Sequence, residues 1–552
     1  MKKKKRFVFL LPLFPAVLFL CIGFKPAPEG HTPAKRTRPN FVVIMADDLG
    51  FSDLGCYGSE ISTPNLDKLA GGGLRLTQFY NTSRCCPSRA ALLTGLYPHQ
   101  AGVGSMNYNL GTPAYQGFLN RNCITIAEGL KTQGYFTALS GKWHVGNQPD
   151  AWPSARGFDR TFSLIGGTSN YFYPHPYKLR AEDMFILNGQ KLENYLTEPK
   201  PQGYYLTDEF TDHALRFLDE ANAQRKPFYL HLTYTAPHFP IQARPEDIAK
   251  YRGQYKKGWD VVRSERYQRL VQSGIIKPEW KLSPRDTLVP AWNQLRESEK
   301  DAWDLKMAVY AAMIDRVDQN IGRLMAKLKE MGAEENTLVL FFADNGASHE
   351  YAFPIWKQTP EVSQLVKDLP ADHPQSFVTY EYNWANVSNT PFRSFKHWEH
   401  EGGVSSPFIA YLPSLIKPGS LNHQPAHLID VLPTLFDLAG VKYPKTHGGN
   451  SITPAAGLSL RNVLEGKPWT GHEALYWEHQ GNRAVRQGDW KIVSSYPENK
   501  WRLYHLAADR TELRNLSESH PEKLREMVAL YEGWAPGVGV GDWAALSQVA
   551  TR

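Results

Sequence analysis

The sequence predicts an α/β protein built on a large, mainly parallel β-sheet with helices on both faces. Three features predict it: four apolar strand-like runs, helical stretches that alternate with them, and polar residues that directly follow each run. Continuous apolar strands that alternate with helices are typical of a parallel sheet buried on both faces. Ligands bind beyond the carboxyl ends of the strands in such sheets. The polar residues therefore mark the expected functional edge.

The predicted strands are short and strongly apolar, and each ends at a polar cluster. In chain order they are Phe41–Met45 before Asp47 and Asp48, Tyr135–Leu139 before Gly141, Lys142, Trp143 and His144, Phe228–Tyr234 before Pro237 and His238, and Leu338–Phe342 before Asp344, Asn345 and Gly346. Helices are predicted ahead of the last three strands, at Ile124–Lys131, at Asp208–Ala221 and around Met313–Leu328. In the last of these, apolar residues recur at spacings of three and four, which indicates an amphipathic helix.

The last part of the chain predicts a smaller domain with an antiparallel sheet and a helix. Short strand candidates, separated by turns that contain Gly and Asn, occupy Ala474–Trp477, Trp490–Ser494 and Trp501–His505, and the helix candidate is Pro521–Trp534. Residues 243–300 and 351–390 show no clear period. We interpret both as long insertions at the rim of a pocket.

The first residues have the composition of an export signal. A cationic run, Lys2–Arg6, precedes an uncharged apolar stretch, Phe7–Gly23. We expect cleavage after Gly23 and an exported protein, located in the periplasm, at the outer surface or outside the cell. Lipid attachment at Cys21 and an uncleaved membrane anchor are the alternatives. Residues 24–38, rich in Pro, Lys and Arg, are interpreted as a linker.

The charge balance argues against a nucleic-acid-binding protein. The net charge is +7, but five of the cations belong to Lys2–Arg6, so the rest of the chain carries +2. A near-neutral body offers no electrostatic case for binding phosphates. Contact with a membrane is expected only through the leader or a lipid anchor.

The cysteines point to chemistry rather than to crosslinking. The five cysteines are too few for a disulfide scaffold. Cys56 and Cys123 are able to pair in an oxidising compartment, a question that the sequence leaves open. Neighbouring cysteines rarely form a relaxed disulfide, so the pair Cys85–Cys86 needs another explanation.

The segment Cys85–Gly95 reads Cys-Cys-Pro-Ser-Arg-Ala-Ala-Leu-Leu-Thr-Gly. Pro87 suits the first turn of a helix, which places Cys85 at a helix N-terminus, where backbone N–H groups favour an anion. Arg89 follows about one turn later and is able to point the same way.

This segment resembles the signature of the sulfatases, formylglycine-dependent enzymes of the alkaline phosphatase superfamily: Cys-x-Pro-Ser-Arg followed by Leu-Thr-Gly. The likeness runs from about Pro39 to the C-terminal segment. It is closest to bacterial arylsulfatases through Thr390–Arg393, Lys396 and Gly402–Gly403.

The resemblance implies an enzyme that hydrolyses sulfate esters. Cys85 is then oxidised to formylglycine by a formylglycine-generating enzyme, while Cys86 occupies the variable position of the signature. A calcium ion is implied as well, bound by oxidised Cys85 and by four further residues, Asp47, Asp48, Asp344 and Asn345. Oxygen ligands of this kind suit Ca²⁺ or Mg²⁺ rather than Zn²⁺. His397 and His400 alone are interpreted as loop residues rather than zinc ligands.

The resemblance assigns the binding of sulfate to Arg89, Lys142, His144, His238 and Lys396. Lys142 and His144 alternate along an extended segment, so both are able to face one side. In the implied mechanism one hydroxyl of hydrated formylglycine attacks sulfur with help from calcium and Asp344, and His238 or Lys396 protonates the departing alcohol. His144 then accepts the proton of the second hydroxyl as sulfate is eliminated.

The expected organisation is a signal peptide (1–23), a linker (24–38), a catalytic domain (39–462) and a small C-terminal α+β domain (463–552). The substrate is left open between an aryl sulfate and a sulfated carbohydrate. Two other functions compete: a phosphonate or phosphate ester hydrolase of the same superfamily, in which histidine tends to replace Asn345, and a catalytically silent surface protein that binds sulfated glycans. The silent protein would lack one catalytic element, and the sequence lacks none.

Overall fold

The computed structural model describes residues 38–173, 184–351 and 369–550, together with Met1, Lys3–Lys5, Val8 and Leu10. The predicted cleavage site, the lipidation alternative and residues 24–37 of the linker lie outside the described residues, as do parts of the predicted rim. Residues Arg38–Arg552 form one compact unit. In the described part of the chain, no helix has the length and apolar character needed to cross a membrane.

An 11-stranded sheet forms the centre of this unit. Its strands are β1 (Asn40–Ala46), β2 (Leu74–Tyr80), β3 (Phe136–Lys142), β4 (Arg160–Leu164), β5 (Phe185–Leu187), β6 (Gln190–Lys191), β7 (Phe228–Thr233), β8 (Thr337–Ala343), β9 (Ser405–Tyr411), β10 (Ser420–Asn422) and β11 (Ala426–His427). Their order is β10-β2-β9-β8-β1-β7-β3-β4-β5-β6, and β11 also pairs with β2. The strands from β8 through β1, β7 and β3 to β4 are parallel, whereas β9 is antiparallel to both of its neighbours. The predicted fold class is confirmed.

Helices cover both faces of this sheet, and two further helices near the C-terminus pack elsewhere. In chain order they are α1 (Pro64–Gly72), α2 (Cys85–Thr94), α3 (Ile126–Lys131), α4 (Leu206–Ala223), α5 (Pro245–Ile248), α6 (Trp259–Gln272), α7 (Glu297–Glu330), α8 (Glu381–Ser388), α9 (Glu401–Val404), α10 (Val431–Ala439), α11 (Arg461–Leu464), α12 (Pro521–Val538) and α13 (Trp543–Ala550). Side chains of β1 alternate between two cores, as the two-residue period of a strand requires. Val42 and Ile44 pack with residues of α1, α4 and α7, whereas Phe41 and Val43 pack with residues of α2, α3 and α10.

The stretch 243–300 is more regular than the sequence indicates, because it contains α5 and α6. The apolar period of α6 is hidden by Arg263 and Arg266, which are buried on the same face as Val262 and Leu270. Arg266 pairs with the carboxylate of Asp53 at 2.6 Å. A buried arginine with a carboxylate partner fills a core position that a hydropathy pattern assigns to solvent.

A second, antiparallel sheet follows a two-stranded ribbon, β12 (Thr446–His447) and β13 (Asn450–Ser451). It has the order β14 (Leu475–His479), β15 (Asn482–Gln487), β16 (Trp490–Ser494) and β17 (Trp501–His505). Val485, Ile492 and Leu503 pack against Met527 and Tyr531 of α12. This confirms the predicted small sheet and helix, with β15 as a strand that the sequence did not predict.

A buried ionic cluster joins this small sheet to the large one. Glu401, at the start of α9, lies 2.9 Å from Lys491 of β16 and 2.9 Å from Arg510, and Lys491 lies 3.0 Å from Glu512. All four side chains are inaccessible to solvent. Although burial alone would raise it, Lys491 and Arg510 lower the pKa of Glu401 to about 2. Glu401 is therefore ionised and compensates the charges of Lys491 and Arg510, whereas burial raises the pKa of Glu512.

Candidate active site

The carboxyl ends of the central parallel strands meet at one edge of the large sheet. Met45 of β1 is in register with Thr233 of β7, and Thr233 with Gly141 of β3. On the other side of β1, Ala46 is in register with Ala343 of β8. This register places the residues that follow β1, β3, β7 and β8 around a common point.

Helix α2 brings Cys85 to this edge. The residue before it, Arg84, is extended, and the helix ends at Gly95, whose φ of 67° is left-handed. Every residue of α2 is buried, and Cys85 is 2% exposed. Although burial opposes it, a hydrogen bond from the Cys86 thiol, followed by the charge of Lys142, holds the pKa of Cys85 well below its usual value.

Two carboxylates and two cations form the first half of the site. The Lys142 ammonium lies 2.6 Å from Asp47, and the Arg89 guanidinium lies 2.9 Å from Asp344. Arg89 also donates to the Lys142 carbonyl oxygen at 2.9 Å, and it lies 3.8 Å from Asp47. These contacts hold both cations beside Cys85 in a space that excludes water.

Asp48 organises the second half of the site. Its carboxylate lies 2.9 Å from the Lys396 ammonium and 3.5 Å from His238 Nε2, and it accepts a hydrogen bond from Asn345 Nδ2 at 2.6 Å. The Asp48 backbone N–H donates to Asp344 Oδ1 at 3.2 Å and so joins the two halves. Although burial opposes it, Lys396 and His238 lower the pKa of Asp48.

The acidic groups fit a hard divalent cation. Asp47 Oδ1 and Asn345 Oδ1 are buried without a hydrogen-bond partner, which is costly unless a ligand completes their coordination. Burial raises the pKa of Asp47, and burial together with the charge of Asp47 raises the pKa of Asp344 well above its usual range. Carboxylate and amide oxygens are the ligands that Ca²⁺ prefers.

A softer set of atoms lies beside these oxygens. The sulfur atoms of Cys85 and Cys86 and a ring nitrogen of His144 lie within 4.8 Å of one another. Thiolate and imidazole ligands suit Zn²⁺. Oxidation of Cys85, as the resemblance implies, removes one of the two sulfur ligands.

The two histidines are held in different ways. His144 has a left-handed φ of 59°, and its ring contacts Gly167 so closely that a Cβ there would lie 2.6 Å from the imidazole. His238 Nδ1 lies 2.6 Å from the Phe239 carbonyl oxygen, which can only accept, so Nδ1 carries the proton. His238 Nε2 then faces the Lys396 ammonium at 3.4 Å. Burial lowers the pKa of His144 to about 3 and that of His238 to about 4.

The structure thus brings every predicted site residue into one buried cluster. It adds two residues that the sequence reading missed, Glu350 and Arg84. The Glu350 carboxylate lies 2.9 Å from the Lys396 ammonium and 2.8 Å from Arg84, the residue before Cys85. The signal that was available is the position of Glu350, four residues beyond Gly346 in the same loop.

Residues outside this cluster have structural partners. His397 lies 3.2 Å from Asn482 Nδ2, at the turn between β14 and β15, and the ring of His400 lies near that of Tyr504. Within the described ranges neither belongs to a group of metal-ligating side chains. Cys56 and Cys123 are both free, so the pairing that the sequence left open is absent.

Comparison with known proteins gives consistent results. The sulfatase family model matches residues 39–441, and the model for the C-terminal part of N-sulphoglucosamine sulphohydrolase matches residues 393–530. An uncharacterized sulfatase of Schizosaccharomyces pombe is 35% identical over 92% of this chain and 95% of its own. An arylsulfatase of Klebsiella aerogenes is 34% identical over 79% of this chain and 94% of its own. A crystal structure of Ps i-CgsB in complex with k-i-k-neocarrahexaose has a TM-score of 0.66 and 26% identity, covering 93% of this chain and 98% of the other.

Proposed function

Because the chain belongs to the sulfatase family and is a sulfuric ester hydrolase, we propose that it acts through formylglycine at position 85 beside a bound calcium ion. The observation that carries the proposal is the convergence of Cys85 with three cations and the acidic groups around Asp47 in one buried space. A sulfate group carries delocalised negative charge that such cations stabilise.

The residues that would hold calcium are Asp47, Asp48, Asp344 and Asn345, with the oxidised side chain at position 85 as a further ligand. When bound, the ion would act as a Lewis acid that favours deprotonation of a nearby hydroxyl. A hydrated formylglycine would supply two hydroxyls, one to attack sulfur and one whose deprotonation allows sulfate to leave, whereas serine has only one.

The chain's own cations orient the sulfate and neutralise its charge. Arg89, Lys142 and Lys396 are each fixed by a carboxylate at 2.6–2.9 Å, so they do not reorganise as charge develops on the substrate. His144, with Nδ1 unpartnered and burial favouring its neutral form, is suited to accept a proton beside position 85.

The departing alcohol requires a proton donor. Although burial opposes it, Asp48 and Glu350 raise the pKa of Lys396, which keeps this side chain protonated. Neutral His238 presents its unprotonated Nε2 to that ammonium at 3.4 Å. We infer that Lys396 supplies the proton, either directly or through His238.

The decisive experiment combines mass spectrometry with kinetics. The peptide that contains Cys85 is expected to have the mass of formylglycine, and Cys85→Ala is expected to abolish turnover with an unchanged circular dichroism spectrum. Cys56→Ser, a change of a free cysteine that is not part of the cluster, is the matched control and is expected to remain active. An intact thiol in active native protein, or turnover by Cys85→Ala, would contradict the nucleophile assignment.

The substrate is proposed to be an aryl sulfate or a sulfated carbohydrate. The names of similar proteins support both, since they include an arylsulfatase and a protein solved in complex with k-i-k-neocarrahexaose. Initial rates on a panel of aryl sulfates, sulfated sugars and a phosphate monoester separate these classes. Phosphate ester hydrolysis faster than all sulfate ester hydrolysis would favour the competing phosphatase function.

We further propose that the chain is exported, matured by a formylglycine-generating enzyme, and divided near residue 462 into a catalytic and a small C-terminal domain. The leader composition of Lys2–Gly23 supports export. N-terminal sequencing of the mature protein tests it, with cleavage after Gly23 as the expected result and an intact Met1 as the contrary one.

A further inference from the structure

A second cavity is formed by residues of the segments that follow β4 and lead into α4 and α5. It has a volume of about 340 Å³, and its wall includes the aromatic rings of Phe172, Tyr173 and Tyr204, the cations Lys200 and Arg244, and the carboxylate of Glu246. None of these residues belongs to the cluster around Cys85. The cavity therefore needs an explanation of its own.

The chain connects this cavity directly to the active site. Gly167 contacts the ring of His144, and six residues later Tyr173 lines the cavity, so the two lie within about 20 Å of each other. Between them, the Tyr171 hydroxyl donates to the His238 carbonyl oxygen at 2.9 Å. The segment from Gly167 to Tyr173 thus borders both the sulfate-binding histidines and the second cavity.

The cation of the cavity is Lys200. Its ammonium lies 3.6 Å from the centre of the Tyr195 ring and 5.7 Å from that of Tyr173. The Tyr195 and Tyr204 hydroxyls lie 3.1 Å apart, which fixes the two rings. Among the residues that the structure describes, no carboxylate lies within 4.0 Å of this ammonium. In the described ranges Lys200 therefore lies against aromatic rings with no carboxylate in ion-pair contact, although the more distant charges of Glu198 and Glu209 act on it.

Arg244 is different, because its charge is already compensated. Its guanidinium lies 2.6 Å from Glu246 and 3.1 Å from Asp208, and it donates to the Gly203 carbonyl oxygen at 3.2 Å. These bonds make Arg244 part of the wall and leave Lys200 as the cation available to an anion.

We propose that this cavity binds a second sulfate group on the same carbohydrate chain as the sulfate that is cleaved. Tyrosine rings offer flat faces for sugar rings, and an ammonium without a carboxylate partner offers the charge that a sulfate needs. The proposal rests on the proposed function and narrows it, since it selects a multiply sulfated oligosaccharide over a small aryl sulfate.

The test is a binding measurement on protein that does not turn over. Isothermal titration calorimetry with Cys85→Ala protein compares a carrageenan-derived sulfated hexasaccharide with D-galactose 4-sulfate. Adding Lys200→Gln is expected to raise the Kd for the hexasaccharide about tenfold, the effect of losing one charge-assisted hydrogen bond. The Kd for the monosaccharide is expected to stay unchanged. Lys191→Gln, a change of an exposed lysine on β6 that pairs with Glu193, is the control and is expected to change neither.

The outcomes separate this site from the chemistry at Cys85. Equal hexasaccharide affinity with and without Lys200→Gln, or no hexasaccharide binding, would overturn the second site. Sulfate released by wild-type protein, measured on the hexasaccharide and on a small aryl sulfate, tests the nucleophile independently of Lys200. Absence of hydrolysis of both substrates with the Lys200 effect intact would overturn the proposed function and leave the cavity as a sulfated-glycan site.

Discussion

At the scale of single residues, Lys396 depends on two carboxylates. Asp48 contacts one side of its ammonium and Glu350 another, at 2.9 Å each. Although burial opposes it, Arg84 and Lys396 hold the pKa of Glu350 well below its usual range, so this carboxylate is ionised. Glu350 thus positions Lys396 without contacting the reacting atoms, and it holds Arg84 beside Cys85.

Glu350→Gln is expected to lower kcat about 10-fold or more, in the range seen when a group that orients a catalytic side chain is lost. The amide keeps the shape but no longer attracts Lys396 and Arg84 as a charge. Steady-state kinetics on a sulfate ester measure the effect. Glu350→Asp is expected to retain part of the wild-type rate. Glu335→Gln, a change of an exposed glutamate, is the control and is expected to leave kcat unchanged. Unchanged kcat in Glu350→Gln would contradict the positioning role.

The acidic residues predict a response to metal removal. Without a cation, the oxygen atoms of Asp47 and Asn345 that accept no hydrogen bond are desolvated, and the buried carboxylates of Asp47 and Asp344 repel each other. A chelator is expected to abolish turnover and to lower the melting temperature. An ion present at a free concentration of 100 times its Kd stabilises the folded state by about 2.7 kcal/mol, and the chelator removes this contribution.

Calcium added in excess should restore both properties, and chelator pre-saturated with calcium should have no effect. Differential scanning calorimetry and initial rates are the measurements. A melting temperature that does not respond to chelator would argue against the proposed ligands.

At the scale of elements, sequence patterns predicted the central strands because they are continuous apolar runs buried on both faces. β2 and β9 escaped prediction because polar residues interrupt them: Arg75 and Gln78 in the first, and Ser405 and Ser406 at the start of the second. Strands of this kind are specified by their neighbours in the sheet rather than by their own pattern.

The site shows the same division between local and distant information. The signature at Cys85 and the acidic pairs after β1 and β8 are local patterns, and the structure brings them together. The contact of Arg84 with Glu350 joins residues 266 positions apart, and no spacing rule reaches that far. Which carboxylate fixes which cation therefore required the structure.

The loop after β8 meets helix α9 through glycines, which predicts a sensitive position. A Cβ on Gly346 would lie 1.8 Å from the Gly402 carbonyl oxygen, and the Gly346 N–H donates to the Gly403 carbonyl oxygen at 3.0 Å. Gly346→Ala is expected to cost about 1–3 kcal/mol of unfolding free energy, as overpacking does. It should also lower kcat, because the neighbouring Asn345 and Asp344 shift with the loop.

Urea denaturation and kinetics measure the two effects. Gly71→Ala is the matched control, because a Cβ at Gly71 meets no atom within 4 Å. Wild-type stability and rate in Gly346→Ala would show that the loop after β8 is not in tight contact with α9.

At the scale of the whole molecule, the buried ionic cluster around Glu401 couples the small sheet to the large one. Glu401→Gln is expected to lower the unfolding free energy at pH 7 by about 3–5 kcal/mol, the effect of removing one partner from a buried charge pair. Lys491 and Arg510 then lose the ionised partner that compensates for their burial. Chemical denaturation measures the change. Glu498→Gln, at an exposed glutamate that pairs with Arg502, is the control, and its unfolding free energy is expected to stay within about 1 kcal/mol of wild type.

The difference in unfolding free energy between wild type and Glu401→Gln is expected to depend on pH. The pKa of Glu401 is about 2 in the folded protein, against about 4.3 for glutamate in an unfolded chain. A group with a lowered folded pKa stabilises the protein fully above its unfolded pKa, and this contribution is lost as the pH falls toward the folded value. The gap between wild type and Glu401→Gln should therefore narrow from about pH 4 to about pH 2. A gap that is constant over this range would indicate that Glu401 is not ionised.

The 2% exposure of Cys85 has a consequence for the order of events in biosynthesis. Helix α2 is buried along its whole length, and the groups around its first residue come from segments near positions 47, 142, 344 and 396. Another enzyme cannot reach a side chain that is enclosed in this way. A maturation factor that acts on position 85 must therefore bind the polypeptide before its distant segments fold together. After folding, an unmodified cysteine at this position would no longer be accessible to that factor.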